Sequence, residues 1–210
     1  MVESLSGPAL VAAIHSGDVT LLQELLDANP GLASPPLGGP FKTRTPLHVA
    51  ADWPGYFPNA PQVVQILIAA GADPNARHPG DETPLHWAAS SDDVDVAGAL
   101  IDGGADIEVP DGSIGTPLDN AVGYACWHVA RLLVARGAVV DKLWHAAALG
   151  LMDRLAELFD KRQDVTRGAL PSLLARLRRG PAPGSGVPAW PRGRPELGPR
   201  LCQRDPARCS

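Results

Sequence analysis

The chain has 210 residues, of which 20% are charged and 5% are aromatic, and its formal net charge is −5 at pH 7. This composition is too apolar for a generally disordered protein, and no apolar run reaches the ~18 residues of a transmembrane helix. The charge is unevenly distributed: residues 1–165 hold 9 basic against 21 acidic residues, whereas residues 166–210 hold 9 arginines against 2 acidic residues.

The N-terminus and the cysteines favour a cytoplasmic protein. The first ten residues, MVESLSGPAL, lack the basic region of a secretory signal. The three cysteines, Cys126, Cys202 and Cys209, form no C-x-x-C pair. Their odd number and spacing argue against a disulfide framework or a zinc site and favour a reducing compartment.

Residues 8–16 and 19–27 are predicted to form a first helix pair, with Gly17 and Asp18 at the reversal between them. The second helix carries leucines at the i, i+3, i+4 spacing of one buried face, namely Leu21, Leu22, Leu25 and Leu26. The segment NPG at 29–31 ends this pair, and SPPLGGP at 34–40 is predicted to be a loop.

The next helix pair, within residues 42–76, contains an insertion, WPGYFPN, at residues 53–59. Its two prolines forbid a continuous helix, so we expect a projecting turn with three aromatic side chains. The second helix of the pair is predicted to begin with Pro61 and to run over residues 62–70. Whether the aromatic turn anchors a partner or folds back as a local cap stays open at this stage.

Residues 83–106, TPLHWAASSDDVDVAGALIDGGAD, contain two short amphipathic segments that end at Gly103 and Gly104. Trp87 lies between the histidine and the paired alanines and is predicted to belong to the core. Neither helix could stand alone, since isolated helices below ~12–15 residues are marginal in water. A unit of this kind requires neighbours that cover both of its faces.

Similar units stand on both sides. The tripeptide TPL begins at Thr45, Thr83 and Thr116, at spacings of 38 and 33 residues, and GAD or GAV begins at Gly71, Gly104 and Gly137, at spacings of 33 and 33. A period of about 33 residues with T-P-L-H-x-A is the signature of ankyrin repeats. Residues 7 to about 160 therefore resemble an ankyrin-repeat protein.

The resemblance implies an all-α ankyrin-repeat solenoid of about five helix-turn-helix repeats. We place this domain at residues 1–165, with repeats at about 7–30, 42–76, 77–109, 110–141 and 142–160. The first repeat lacks TPLH, as is usual for a capping repeat. The fifth keeps paired alanines and a reversing glycine but also lacks the Thr-Pro turn.

The motif residues have structural tasks. Threonine can cap the helix, proline suits the first turn, and glycine supplies a left-handed C-terminal cap. In the ankyrin family the histidine bonds locally and to the next repeat, which the resemblance implies for His48 and His86. In the fourth and fifth repeats the histidine position of the motif is occupied by Asp119 and Trp144. The hydrogen bonding between repeats at these two positions therefore stays open. The motif residues are Thr45, Pro46, Leu47, His48, Gly71, Thr83, Pro84, Leu85, His86, Gly104, Thr116, Pro117, Leu118 and Gly137.

Candidate partner-binding residues are those the repeat itself does not need. In the ankyrin family they lie on the turn before each TPLH and at the exposed end of the first helix. The resemblance gives Arg44, Asp52, Trp53, Arg77, His78, Glu82, Ser90, Ser91, Ser113, Gly123 and Tyr124, and the projecting aromatic turn adds Tyr56. Trp53 and Tyr56 are the strongest candidates, because exposed aromatic side chains often anchor interfaces.

No catalytic or metal-binding constellation is recognisable. G-x-S-x-G, phosphate-loop and dinucleotide motifs do not occur. His48 and His86 are separated by the repeat itself and so form a ladder, not a cluster of ligands. The acidic run at residues 92–95 lacks the glycine and glutamate of a calcium loop and is predicted to be a turn beside a helix N-terminus.

These observations predict a non-enzymatic module that binds a protein partner through its concave face. They imply no cofactor, no metal, no small-molecule substrate and no membrane span. An alternative function is nucleic-acid or acidic-surface binding through the arginine-rich tail, which would show a steep salt dependence. The acidic repeat domain argues against nucleic-acid binding.

Residues 166–210 form a tail with eight prolines and no helical or strand period, which predicts disorder. The 15 arginines against 3 lysines suggest a GC-rich, bacterial gene. In a shifted frame the code permits ankyrin-like fragments at residues 174–177, 187–198 and 204–209. Our hypothesis is a frameshift near residues 163–173, which would leave the fifth repeat without its neighbour. We therefore expect residues 143–160 to be less protected than residues 83–137.

Overall fold

The computed structural model describes residues 3–34, 36–37, 44–77 and 81–162. Within these ranges the regular secondary structure is helical and no strand occurs, which confirms the predicted all-α class. The helices are α1 Glu3–Ser16, α2 Val19–Ala28, α3 Pro46–Ala50, α4 Ala60–Ala69, α5 Pro84–Ser91, α6 Val94–Asp102, α7 Pro117–Gly123, α8 Trp127–Ala135 and α9 Leu143–Ala148. A 3-10 turn, Pro30–Ala33, follows α2, and residues 152–162 form a further helix, α10.

The helices of residues 3–148 are arranged in two rows. Helices α1, α3, α5, α7 and α9 contact one another in succession, and so do α2, α4, α6 and α8. The two helices of each of the first four pairs also contact each other. This arrangement is the solenoid predicted from the repeat period.

The core lies between the two rows and consists of small and branched side chains. The motif leucines Leu47, Leu85 and Leu118 are buried, as are the alanine pairs at residues 50–51 and 88–89. Alanine keeps the short helices close together, and each buried leucine contributes roughly 1.5–3 kcal/mol of hydrophobic stabilisation. Neighbouring repeats therefore bury the faces that one repeat leaves uncovered.

The helix ends follow the motif chemistry. Thr45 and Thr116 precede α3 and α7, and their hydroxyls accept the amide hydrogens of the third helical residues at 3.4 and 3.3 Å. Proline occupies the first turn of α3, α5 and α7. Gly71, Gly104 and Gly137 have φ of 96°, 95° and 101°, which confirms the predicted left-handed conformation after each second helix.

Three local predictions were wrong, and a fourth was right only in part. Helix α1 begins at Glu3, five residues before the predicted start, and Pro8 lies inside it, where it removes one backbone hydrogen bond of the helix. Helix α4 is Ala60–Ala69, so it begins before Pro61 and ends before residue 70. Leu21 is 37% exposed, since the buried stripe of α2 is formed by Leu22 and Leu26. The core prediction for Trp87 was right in part: this side chain is half-buried and packs against the core, but it also lines a surface groove.

No helix in the described ranges is long and apolar enough to cross a membrane. The predicted tail at 166–210, the frameshift hypothesis and the candidate residue His78 lie outside the described residues.

Candidate functional site

The motif histidines are part of the scaffold between repeats. His48 Nδ1 lies 2.7 Å from the Thr45 hydroxyl, and His48 Nε2 lies 3.1 Å from the carbonyl oxygen of Glu82 in the next repeat. The same pattern occurs at His86. Its Nδ1 lies 2.9 Å from the Thr83 hydroxyl, and its Nε2 lies 3.0 Å from the carbonyl oxygen of Gly115. Burial lowers the pKa of His86. The roles that the resemblance implied for both histidines are confirmed.

In the fourth repeat, Asp119 takes the place of the histidine and makes an ionic bridge. Its buried carboxylate accepts the Thr116 amide at 2.8 Å and contacts Lys142 Nζ at 2.5 and 2.6 Å and His145 Nε2 at 2.9 Å. Burial alone would raise the pKa of Asp119, but the hydrogen bonds from Lys142 and Thr116 hold it below its usual range. The fourth and fifth repeats are therefore joined through a charged carboxylate.

The predicted register of the fifth repeat was wrong by one residue. His145, and not Trp144, is the third residue of α9 after the N-cap Lys142, the place that His48 and His86 hold in α3 and α5. Lysine has no hydroxyl, and the buried Nδ1 of His145 has no hydrogen-bond partner among the described residues. Alignment of the histidines in PLHVAA and LWHAAA would have given the correct register.

The acidic turn between α5 and α6 caps two helices. Asp93 accepts the Val96 amide of its own helix at 3.0 Å. Asp92 accepts the amides of His128 and Val129 in α8, both at 3.0 Å. Because Cys126, the N-cap residue of α8, makes no side-chain capping bond, Asp92 supplies that cap from the preceding repeat. The prediction of an acidic turn beside a helix N-terminus is confirmed.

The aromatic insertion at 53–59 packs against the reversals on both sides and leaves one tryptophan exposed. The Tyr56 hydroxyl donates to the carbonyl of Asp92 at 2.5 Å, and Phe57 stacks on His15 with ring centres 4.6 Å apart. A Cβ at Gly17 would lie 2.0 Å from the Pro58 carbonyl oxygen, so this contact requires glycine. Trp53 is 79% exposed. The insertion thus folds back on the neighbouring repeats through Tyr56 and Phe57, and it also presents Trp53 to solvent as a candidate anchor for a partner.

An open groove collects most of the candidate binding residues. It has a volume of about 320 Å³. Eight of the twelve candidates line it, together with Ala51 and Trp87: Arg44, Asp52, Trp53, Glu82, Ser90, Ser91, Ser113 and Tyr124. Tyr56, Arg77 and Gly123 lie outside this lining. The residues come from the second, third and fourth repeats, so the solenoid brings together side chains that are far apart in sequence.

Aromatic side chains and an internal ion pair shape the groove. The guanidinium carbon of Arg44 lies 5.0 Å from the ring centre of Trp87, and the same guanidinium pairs with Asp52. Trp53 and Tyr124 are 79% and 52% exposed, whereas Trp87 is half-buried. Large amphipathic side chains with one exposed face are typical anchors in protein interfaces.

Glu82 is a preoriented carboxylate in this groove. Its Oε1 accepts the backbone amide of Ser113 at 3.0 Å and the side-chain amide of Asn120 at 3.1 Å. Partial burial would raise its pKa, but the hydrogen bonds from Ser113 and Asn120 lower it overall. Glu82 therefore carries a negative charge at neutral pH.

No group of three or more His, Cys, Asp or Glu side chains is placed to hold a metal ion within the described ranges. Cys126 is buried, and burial raises the pKa of its thiol. Such a thiol is a packing group rather than a reactive nucleophile.

The helix pairs, the TPLH caps and the histidine bonds define a stack of ankyrin repeats. Residues 56–143 match the family model described as ankyrin repeats in three copies. The chain is 41% identical over 73 residues to Protein fem-1 homolog A of Bos taurus, an alignment that covers 30% of this chain and 11% of that protein. It is 33% identical over 102 residues to the B-cell lymphoma 3 protein homolog of Mus musculus, covering 47% of this chain and 22% of that protein. The chain thus spans 11–22% of the length of these relatives.

Proposed function

We propose that this chain binds a protein partner through the concave face of its ankyrin stack and performs no chemistry there. Ankyrin repeats are generally protein-interaction modules, and solenoids use extended concave surfaces for binding. The observation that carries the proposal is the convergence of non-motif residues from three repeats on one groove. The motif residues, in contrast, are occupied in caps and inter-repeat bonds.

The shape of the surface supports an extended protein segment as the ligand. A second depression of about 180 Å³ is lined by residues of the first and second repeats and of the loop between them. Arg44 and Asp52 line both depressions, so the two adjoin. A shallow furrow of this kind suits a peptide backbone with several side chains better than a compact small molecule, which requires a more enclosed cavity.

The alternative of nucleic-acid binding rests on the arginines at 166–210, outside the described residues, and no described contact favours it. The groove function is tested with the full chain immobilised as bait for affinity capture. The double variant Trp53→Ala, Tyr124→Ala should lose the captured proteins. Trp127→Ala removes a tryptophan from α8, outside the groove lining, and should retain them. Equal capture by both variants, with unchanged thermal unfolding, would refute groove binding.

A further inference from the structure

Glu82 is a charged side chain of the groove lining without an oppositely charged partner among the described residues. Arg44, the basic side chain of the lining, is already paired with Asp52. Arg77, which belongs to the same repeat as Glu82, is paired with Asp111 at 2.8 Å. Among the described residues Glu82 forms no ion pair, and its hydrogen bonds come from the neutral groups of Ser113 and Asn120. A partly buried carboxylate without a cation attracts an external cation more strongly than an exposed one does, because solvent and salt screen it less.

The groove already shows how it accommodates a cation. The Arg44 guanidinium lies over the Trp87 ring, in the arrangement of a cation–π contact. Trp53 and Tyr124 supply further aromatic surface in the same lining, and both are more than half exposed. The Tyr124 hydroxyl lies 3.4 Å from the Ser113 hydroxyl, which ties the tyrosine to the residue that orients Glu82. Aromatic faces together with a carboxylate favour an ammonium or guanidinium group.

We infer that the groove receives the cationic side chain of a lysine or arginine from the protein partner, with Glu82 as its counter-ion and Trp53 and Tyr124 beside it. This inference rests on the proposed function and names the chemistry of its ligand. An acidic segment is disfavoured, because Arg44 is already neutralised by Asp52 whereas Glu82 would repel a second carboxylate. The acidic excess of residues 1–165 also attracts a basic segment over longer distances.

The inference is tested on the full chain by NMR titration with n-butylammonium chloride, which reproduces the end of a lysine side chain. The indole N–H signals of Trp53 and Trp87, assigned with Trp→Phe variants, report on the groove. We expect saturable shifts with n-butylammonium. Neutral 1-butanol and sodium butyrate should give much smaller shifts. Equal shifts with 1-butanol, or larger shifts with butyrate, would overturn the assignment.

The variant Glu82→Gln isolates the charge, because glutamine keeps a carbonyl oxygen for the Ser113 and Asn120 bonds. It should weaken n-butylammonium binding about fivefold, the upper range for a partly exposed ion pair. Glu24→Gln, on the exposed side of α2, is the matched control and should leave binding unchanged. Unaltered binding by Glu82→Gln would refute the counter-ion role.

Failure of the proposed function has a separate readout. If Trp53→Ala, Tyr124→Ala still captures the same proteins as the wild type, groove binding itself is wrong. If that variant loses the proteins but n-butylammonium shifts neither indole signal, the groove binds a partner and the cationic ligand is wrong.

Discussion

At the residue scale, buried histidines couple the stability of the stack to pH. His86 and His145 lie 0% and 1% exposed, and burial lowers the pKa of both below the ordinary value. Asp119 opposes this effect at His145 only in part. In the unfolded chain the same side chains titrate near their usual pKa of about 6.5. Between the folded and unfolded pKa values the unfolded chain therefore binds more protons, so stability falls as the pH falls.

We predict a lower free energy of unfolding at pH ~5.5 than at pH ~7.5, measured by urea denaturation. The ring-proton signals of His86 and His145 should titrate below those of a histidine in a short peptide. A stability that is constant or rises on acidification, with both rings titrating at the peptide value, would contradict this account. The lowered pKa of Asp119 acts in the same direction, but in the lower pH range where carboxylates titrate.

How far the sequence predicted such residues depended on their local motif. His48 and His86 follow Thr-Pro-Leu, and this cue fixed both the helix start and the hydrogen bonds. The fifth repeat begins with Lys142 and Leu143, so no proline or hydroxyl marks its first turn. Without that cue the histidine position of the motif was assigned to Trp144, one residue before His145. The ion pairs of Asp119 with Lys142 and His145 also escaped prediction, because they need the relative placement of two repeats.

At the scale of the element, a helix in this stack can depend on a cap from its neighbour. The amides of His128 and Val129 at the start of α8 are satisfied by Asp92, 36 and 37 residues earlier in the chain. Asp92 itself has φ of 57°, a conformation that glycine and asparagine tolerate well. Replacing Asp92 by glycine or asparagine therefore changes the capping group without adding backbone strain.

We predict that Asp92→Gly destabilises the protein by about 1 kcal/mol, since the cap is lost while the backbone conformation stays favourable. The amides of His128 and Val129 should lose protection from hydrogen exchange. Asp92→Asn is the matched control, because it keeps an oxygen acceptor at the same place and should preserve most of that protection. Unchanged exchange in Asp92→Gly would show that α8 does not use this cap.

The elements themselves were predictable where apolar periodicity and turn residues agreed. The pairs α5–α6 and α7–α8 begin and end close to the motif positions. The insertion at 53–59 was placed correctly between two helices, but its packing was not predictable. The contacts of Tyr56 with Asp92 and of Pro58 with Gly17 join three different repeats, and no local pattern encodes them. Eight residues of the groove lining were among the partner-binding candidates, whereas the groove itself and the place of Trp87 in it required the fold.

At the scale of the whole molecule, stability should be unequal along the stack, because each repeat is stabilised largely by its neighbours. Helices α5 and α7 contact first-row helices on both sides. Helix α9 starts from an N-cap residue without a side-chain capping bond, and the buried Nδ1 of His145 has no described partner. Three large apolar residues of the fifth repeat are also exposed to solvent: Trp144 is 40% exposed, Met152 67% and Phe159 53%.

We therefore predict that residues 143–160 exchange amide hydrogens faster than residues 83–137 under native conditions. The physical reason is local opening, which costs less free energy where few apolar side chains are buried and helix ends lack caps. Hydrogen exchange followed by mass spectrometry on peptides from the full chain would measure both regions in one experiment. The region 83–137 serves as the internal reference, since it contains α5 to α8 with their caps. Equal protection of the two regions would mean that the fifth repeat is as well supported as the central ones, and that its exposed apolar side chains do not weaken it.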